Sequence, residues 1–241
     1  MPRFYCPISL ETDRVVTLPD AVARHAVGAL RLRDGEAVTL FNGDGHEYAG
    51  ILSTAGRASV RLLARHTPER ESPLGICLAQ GISSGERMDL TVQKSVELGV
   101  AAIQPLMMRR TIVRLAGDKL ERRRAHWQGV VVAACEQCGR NHVPEVAAIS
   151  DFDAWRRAWS HEAGLGLMLD PEAERSLSDL PRPQGVVTLL AGPEGGFDGA
   201  ERAAATAAGF VGVKLGPRIL RTETAALAAL AAFQALWGDY A

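Results

Sequence analysis

Long apolar runs are absent from this sequence. No stretch approaches the roughly 18 to 20 residues that span a bilayer as a helix. Met1–Leu10 also lacks the charged-then-apolar pattern of a secretory leader, so the cytoplasm is the expected compartment. Cysteine is scarce: Cys6, Cys77, Cys135 and Cys138 make no disulfide framework in a chain of 241 residues without a leader. Cys135 and Cys138 form a C-x-x-C pair, but no second pair follows at ribbon spacing. Both are read as small, partly buried residues near the end of a helix. The six histidines (His25, His46, His66, His126, His142, His161) show no ligand spacing, so no metal is expected. An excess of charge is missing too, since 27 basic against 28 acidic residues leaves −1. Nothing global therefore advertises the strongly basic balance of a nucleic-acid binder.

What is present is an ordinary globular composition, 47% hydrophobic and 23% charged, in a chain long enough for two modest domains. The first 67 residues alternate short apolar runs with turn signals: Arg14–Leu18, Ala37–Phe41, Glu47–Leu52 and Ala58–Ala64. Strands at this spacing predict a small β-barrel, with Asn42–Gly45 as a hairpin turn. Asp20–Ala29 carries Ala21, Val22 and Ala26 in helical register and predicts one interrupting helix. The polar stretch His66–Pro73 marks a boundary, after which a second domain spans 73–241.

Beyond it the rhythm becomes strand, helix, strand: Leu74–Gln80, Glu86–Leu98 with Met88, Val92 and Val96 in register, then Val100–Leu106. Later strands are expected at Leu165–Leu169, Val186–Ala191 and Phe210–Leu215, with helices near Phe152–Trp159 and Ala200–Ala208. Such alternation predicts an α/β domain with a parallel sheet. Val186–Ala191 lacks polar alternation and reads as a central strand. Ser83-x-x-Glu86 and Asp198-x-x-Glu201 have capping-box spacing. Thr222 to about Trp237 is apolar nearly all round apart from Gln234, so that helix should be deeply packed.

Leu190-Ala191-Gly192-Pro193-Glu194-Gly195-Gly196-Phe197 puts a glycine-rich loop after the central strand, where open α/β sheets bind ligands. It is neither a P-loop nor G-x-G-x-x-G. A tight structural turn would also account for it. The next strand runs into Leu215-Gly216-Pro217-Arg218-Ile219-Leu220-Arg221-Thr222-Glu223-Thr224-Ala225. A surface salt-bridge cluster with a threonine cap would explain that segment alone. Two polar loops from consecutive strands open at one sheet edge, however, and that convergence predicts a pocket.

GPEGGF and LGPRILRTETAAL resemble the two C-terminal signatures of the RsmE family, and QKSVELGV, IQPL and EQCGRNHVPEV resemble further motifs of it. RHAVGALRLRDGE and LFNGDGHEY resemble its N-terminal PUA-like barrel. The match covers essentially the whole chain, departing mildly at Ser95 and around Met107-Met108-Arg109-Arg110. The resemblance implies a SPOUT-type domain with a trefoil knot behind a PUA-like β-barrel. It also implies a homodimer that uses S-adenosyl-L-methionine (AdoMet) to methylate N3 of one uridine in 16S ribosomal RNA, the family's m3U site at position 1498 in ribosomal numbering, on the 30S subunit. Carried over by residue, the cofactor pocket comprises Leu190, Gly192, Pro193, Gly195 and Gly196 from the first loop and Leu215, Gly216, Ile219, Leu220, Thr224 and Ala225 from the second. The strand end Met168-Leu169 forms its third side.

Uracil N3 is a poor nucleophile until its proton is lost or shared, so a base or a stabiliser of carbonyl charge is required. The candidates are Glu194 and Glu223 as bases and Arg221 as stabiliser, with Arg218 as an alternative to Arg221. Met107–Trp127 holds seven basic residues against two acids, and the barrel carries a smaller surplus. Arg3, Arg24, Arg31, Arg109, Arg110 and Arg123 are the expected RNA contacts. Two other functions remain open on the residues: a SPOUT methyltransferase for another base or a ribose, and a ribosome-assembly protein that binds RNA without catalysis.

Overall fold

The structure, a computed structural model, describes residues 1–160, 162 and 164–240, so His161 lies outside the described residues. The chain divides into two compact units, 1–71 with 132–143, and 72–131 with 144–241.

In the first unit, β1 (Arg3–Tyr5), β2 (Val15–Thr17), β3 (Ala37–Phe41), β4 (Glu47–Ser53) and β5 (Ser59–His66) form a sheet in the order β1-β3-β4-β5-β2. β1 runs parallel to β3, and the other pairs are antiparallel. Along β4 the strict alternation of Glu47–Ser53 buries Tyr48, Gly50 and Leu52, the pattern of a half-buried strand. Phe4, Leu40, Leu52, Val60 and Leu62 meet in the core, each side chain removed from water adding about 1.5–3 kcal/mol. The sheet curls, as expected of the small barrel, with β1 and β2 as its end strands. The Asn42–Gly45 turn links β3 to β4 with Gly43 and Gly45 both at positive φ, where a side chain would be strained.

The predicted helix at Asp20–Ala29 is only partly α-helical. α1 covers Asp20–Ala23 and passes into a π-helical turn over Arg24–Ala29, in which the Leu30 N–H reaches the His25 carbonyl. Residues 132–143, expected in the second domain, belong to the first unit. The Glu136 carboxylate accepts the Tyr5 N–H, Asn141 accepts from Arg3, and Arg140 pairs with Glu71.

The second unit is built on a parallel sheet in the order β12-β10-β11-β6-β7-β8. Its strands are β6 (Ile76–Gly81), β7 (Ala102–Met107), β8 (Glu145–Val146), β10 (Gly164–Leu169), β11 (Val186–Ala191) and β12 (Val211–Val213). β9 (Ser150–Asp151) pairs further along β7. β11 lies between β10 and β6 and is buried from Val187 to Ala191, as its unbroken apolar run requires. Five α-helices and a 3-10 turn at Leu177–Asp179 complete the described elements, the α-helices being α2 (Gly85–Glu97), α3 (Asp118–Cys138), α4 (Phe152–Ala158), α5 (Gly199–Ala207) and α6 (Thr222–Trp237). Cys135 and Cys138 lie in the last turn of α3, the first buried and the second half-buried. No helix is long and apolar enough to cross a membrane among the described residues.

Asp198 and Glu201 form the expected capping box at the start of α5. Ser83 and Glu86 do not form one. α2 starts from Ser84, whose hydroxyl makes no cap bond because it donates to the Glu194 carboxylate, a charge-assisted and therefore stronger partner. α6 buries Ala226, Ala229, Leu230 and Phe233. Its one interior polar residue, Gln234, accepts from the Ser72 hydroxyl at 2.7 Å and donates to the Leu98 carbonyl at 3.0 Å.

Candidate functional site

Strand register puts the carboxyl ends of β10, β11 and β12 side by side, Met168 against Leu190 and Leu169 against Val213. The segments leaving them open at one edge and enclose a cavity of about 520 Å³. Gly192 to Phe197 forms one wall, and Leu215, Gly216 and Arg218 to Glu223, with Ala225, form another. Leu169, Asp170 and Pro171 supply the side at the end of β10.

The two loops are tied together at their base. Gln80, fully buried at the end of β6, donates through Nε2 to the Gly192 carbonyl at 3.2 Å and to the Thr222 hydroxyl at 3.0 Å. Thr222 in turn donates to the Gly192 carbonyl at 2.5 Å. The first turn of α6 is thereby held against the glycine loop.

Acidic groups cluster on the inner wall. Glu194 Oε1 accepts from the Ser84 N–H at 2.7 Å, the Ser84 hydroxyl at 2.6 Å and Arg87 at 3.3 Å. Burial pushes the Glu194 carboxyl up, but the bonds it accepts from Ser84, its own backbone and Arg87 together outweigh burial and hold it below its ordinary value. Glu223 lies 4.0 Å from the same Arg87 guanidinium. The Oε2 atoms of both glutamates are buried without a hydrogen-bond partner. Asp170, 6% exposed, pairs with Arg202 at 3.2 Å. At the outer rim Arg218 and Arg221 are exposed and lack ion-pair or hydrogen-bond partners for their side chains among the described residues, while Ile219 is 86% exposed.

The chain resembles known proteins along its whole length. The RNA methyltransferase domain family matches residues 70–234, and the RNA methyltransferase PUA domain family matches 18–63. A protein of Buchnera aphidicola named ribosomal RNA small subunit methyltransferase E is 33% identical, the match covering 99% of this chain and 98% of that one. The chain belongs to the ribosomal RNA small subunit methyltransferase E family. The Bacillus subtilis protein of that name is 30% identical over 96% of this chain and 95% of its own. The crystal structure of the Neisseria gonorrhoeae family member, bound to S-adenosyl methionine, superposes with a TM-score of 0.93 at 46% identity, covering all of both chains. A Legionella pneumophila methyltransferase in complex with the same cofactor gives 0.93 at 40% identity, covering 98% of each chain.

In this family member the residues expected around the cofactor fall into two groups. Leu169, Gly192, Pro193, Gly195 and Gly196 line the cavity, as do Leu215, Gly216, Ile219, Leu220 and Ala225. Met168 and Leu190 do not. They lie in the core with Phe152, Phe197 and Phe210, since alternation along each strand turns neighbouring side chains to opposite faces. Thr224 is exposed on α6 outside the lining. Glu194, Arg221 and Glu223 all border the cavity.

Among the expected RNA contacts, Arg3 is engaged within the first unit. Its side chain is 13% exposed, pairs with Glu47, and donates to the Gly139 carbonyl and to Asn141, so it holds the first unit together. Arg24 and Arg31 are exposed. Arg109 is 60% exposed and faces Asp198 at 3.5 Å. Arg123 lies over the Trp127 ring at 6.0 Å. Arg110 lines the cavity and donates to the Gly195 carbonyl.

Sequence reasoning passed over Gln80, Ser84, Arg87, Asp170 and Arg202. Helical register marks Met88 and Val92 as core and says nothing of Arg87 beside them. Asp170 immediately follows the strand end that had been assigned to the pocket, and that position was its available signal.

Proposed function

We propose that this protein transfers the methyl group of AdoMet to N3 of one uridine in 16S ribosomal RNA, at the family's position 1498, acting on the 30S subunit as a cytoplasmic homodimer. The observation that carries the proposal is the cavity between the two loops, in a chain whose relatives hold S-adenosyl methionine and are named for small-subunit ribosomal RNA. The residues fit such a cofactor. Leu169, Ala191, Leu215, Leu220 and Ala225 give an apolar surface suited to an adenine ring, and Asp170, Glu194 and Glu223 suit a cation. The buried Oε2 atoms of Glu194 and Glu223 have no hydrogen-bond partner within the protein, and a ligand that brings donors would satisfy them. The trefoil knot belongs to the same reading, and the tie from Gln80 through Thr222 to Gly192 supports a first turn of α6 drawn tight against the glycine loop.

When bound, AdoMet supplies an electrophilic methyl group, whose bond to sulfur breaks with the electron pair staying on sulfur. The protein's part is to free the N3 lone pair. Arg221 is permanently charged and exposed at the rim, where its guanidinium can stabilise charge growing on a uracil carbonyl as N3–H ionises. Glu223 is the stronger candidate to receive the proton, because Glu194 Oε1 is already taken up by bonds from Ser84 and Arg87. Glu194 then serves mainly as fixed negative charge beside the cofactor. The exposed cations Arg24, Arg31 and Arg109, with the half-buried Arg123, are the proposed phosphate contacts.

The test is to methylate 30S subunits lacking the modification with labelled AdoMet, digest the RNA and identify the nucleoside. 3-Methyluridine at a single site is expected. A methylated ribose or another base would replace this reading with a different methyltransferase, and failure to bind AdoMet would end it.

A further inference from the structure

We infer that Arg87 is a positioning residue, whose one guanidinium is shared by Glu194 and Glu223 and fixes both carboxylates between the two loops of the cavity. The inference rests on the methyltransferase reading for its consequence but on geometry for its content. Arg87 lies in the first turn of α2, with Nη1 3.3 Å from Glu194 Oε1 and Nε 4.0 Å from Glu223 Oε1. Its side chain is 44% exposed, while those of Glu194 and Glu223 are 13% and 12% exposed. Glu194 belongs to the glycine loop, Glu223 to the start of α6, and Ser84 beside Arg87 holds the same Glu194 oxygen. One helical turn thus clamps both loops by their acids.

The charge arithmetic gives the clamp its role. Two half-hidden carboxylates beside one guanidinium carry a net −1, enough to favour a sulfonium while both stay ionised. Without the guanidinium, two like charges face each other in a poorly solvated wall, and one of them becomes harder to ionise. Other charged groups around this wall are Arg110 after β7, Asp170 after β10, Arg202 on α5, and Arg218 and Arg221 before α6. Among the described residues Arg202 is engaged with Asp170 and Glu172, and Arg110 with the Gly195 carbonyl. Arg218 and Arg221 are out at the rim, so none of these replaces Arg87.

The experiment compares wild type, Arg87→Gln, Arg87→Lys and Arg87→Gln/Glu223→Gln by thermal unfolding without ligand, from about pH 5 to about pH 8, a range above the ordinary glutamate pKa. In Arg87→Gln one carboxyl has a folded-state pKa raised above its unfolded value, so stability is lost as pH rises through that raised value. The gap in Tm from wild type should therefore open with pH, close in Arg87→Lys and close when Glu223→Gln is added. On 30S subunits the kcat of Arg87→Gln should fall about tenfold with KM for RNA unchanged, and Arg87→Lys should recover most of it. A pH-independent Tm loss, no loss at all, or an unchanged kcat would overturn the inference. Wild-type protein that fails to bind AdoMet in calorimetry would instead sink the methyltransferase reading, with the unfolding series still deciding what Arg87 does.

Discussion

The guanidinium of Arg110 lies 3.1 Å from the carbonyl oxygen of Gly195, donating a hydrogen bond to the middle of the glycine loop. A side chain at position 195 has no room, because its Cβ would stand 2.8 Å from the Arg110 Cβ. The basic run that reads as an RNA patch in sequence therefore includes, as its second member, a residue that braces the cavity. Arg110→Ala should weaken AdoMet binding about tenfold, the worth of one charge-assisted bond to a loop that must be ordered on binding. Calorimetry against AdoMet and filter binding against RNA would separate the roles. A loss confined to RNA affinity would return Arg110 to the phosphate contacts.

Ser84 and Glu194 carry a pH prediction. Two bonds from Ser84, together with those from Arg87 and from the Glu194 backbone, depress the Glu194 carboxyl despite burial, so they stabilise the fold above the unfolded glutamate pKa and lose that effect as pH falls through the depressed value. Ser84→Ala removes the hydroxyl bond only. Its Tm should lie below wild type at neutral pH, by about 1–2 kcal/mol in stability, and converge with it in acid. A difference that persists unchanged below the carboxylate range would mean that the hydroxyl acts by packing instead.

How far the sequence foretold this protein follows from what each signal depends on. Hydrophobic periodicity is local, so β11, α2 and α6 stood out, as did the capping box at Asp198. β1 escaped notice because three residues, Arg3–Tyr5, are too few for a period, and its partner β3 lies more than thirty residues away. The pocket loops were legible from glycine content and from their place after strands. Their restraints were not: Gln80 meets Thr222 across 142 positions, and Arg87 meets Glu194 across 107. The side chains of Met168 and Leu190 fall outside the cavity lining by a single residue step, the interval that switches a strand side chain from one face to the other. The failed box at Ser83 had the right spacing, but Glu194 outcompeted the helix for the neighbouring hydroxyl.

Gln234 is the polar exception in the most apolar helix, and its stability effect should be large for one side chain. It bonds to the Ser72 hydroxyl and to the Leu98 carbonyl with no exposed surface of its own. Gln234→Leu keeps the bulk but strands both partners, which predicts a loss of about 2–4 kcal/mol in chemical denaturation with the slope unchanged. A neutral result would show that water or a shifted neighbour satisfies Leu98.

Gly81 tests whether the cavity depends on packing behind it. It ends β6 without lining the cavity, and a Cβ there would stand 2.5 Å from the Pro193 nitrogen and 2.8 Å from the Met108 sulfur. The sulfur can move at the end of a flexible side chain. The Pro193 nitrogen is backbone of the glycine loop, and Thr222 and Gln80 pin the Gly192 carbonyl immediately before it. Gly81→Ala must then either displace the loop or strain the strand end, and the loop is the less buried of the two. The expected outcome is a fall in AdoMet affinity of at least about tenfold, with a smaller loss of global stability because the sheet itself is untouched. Calorimetric Kd and thermal Tm measured on the same preparation check it: full affinity with lowered Tm would mean that β6 yields and the glycine loop does not.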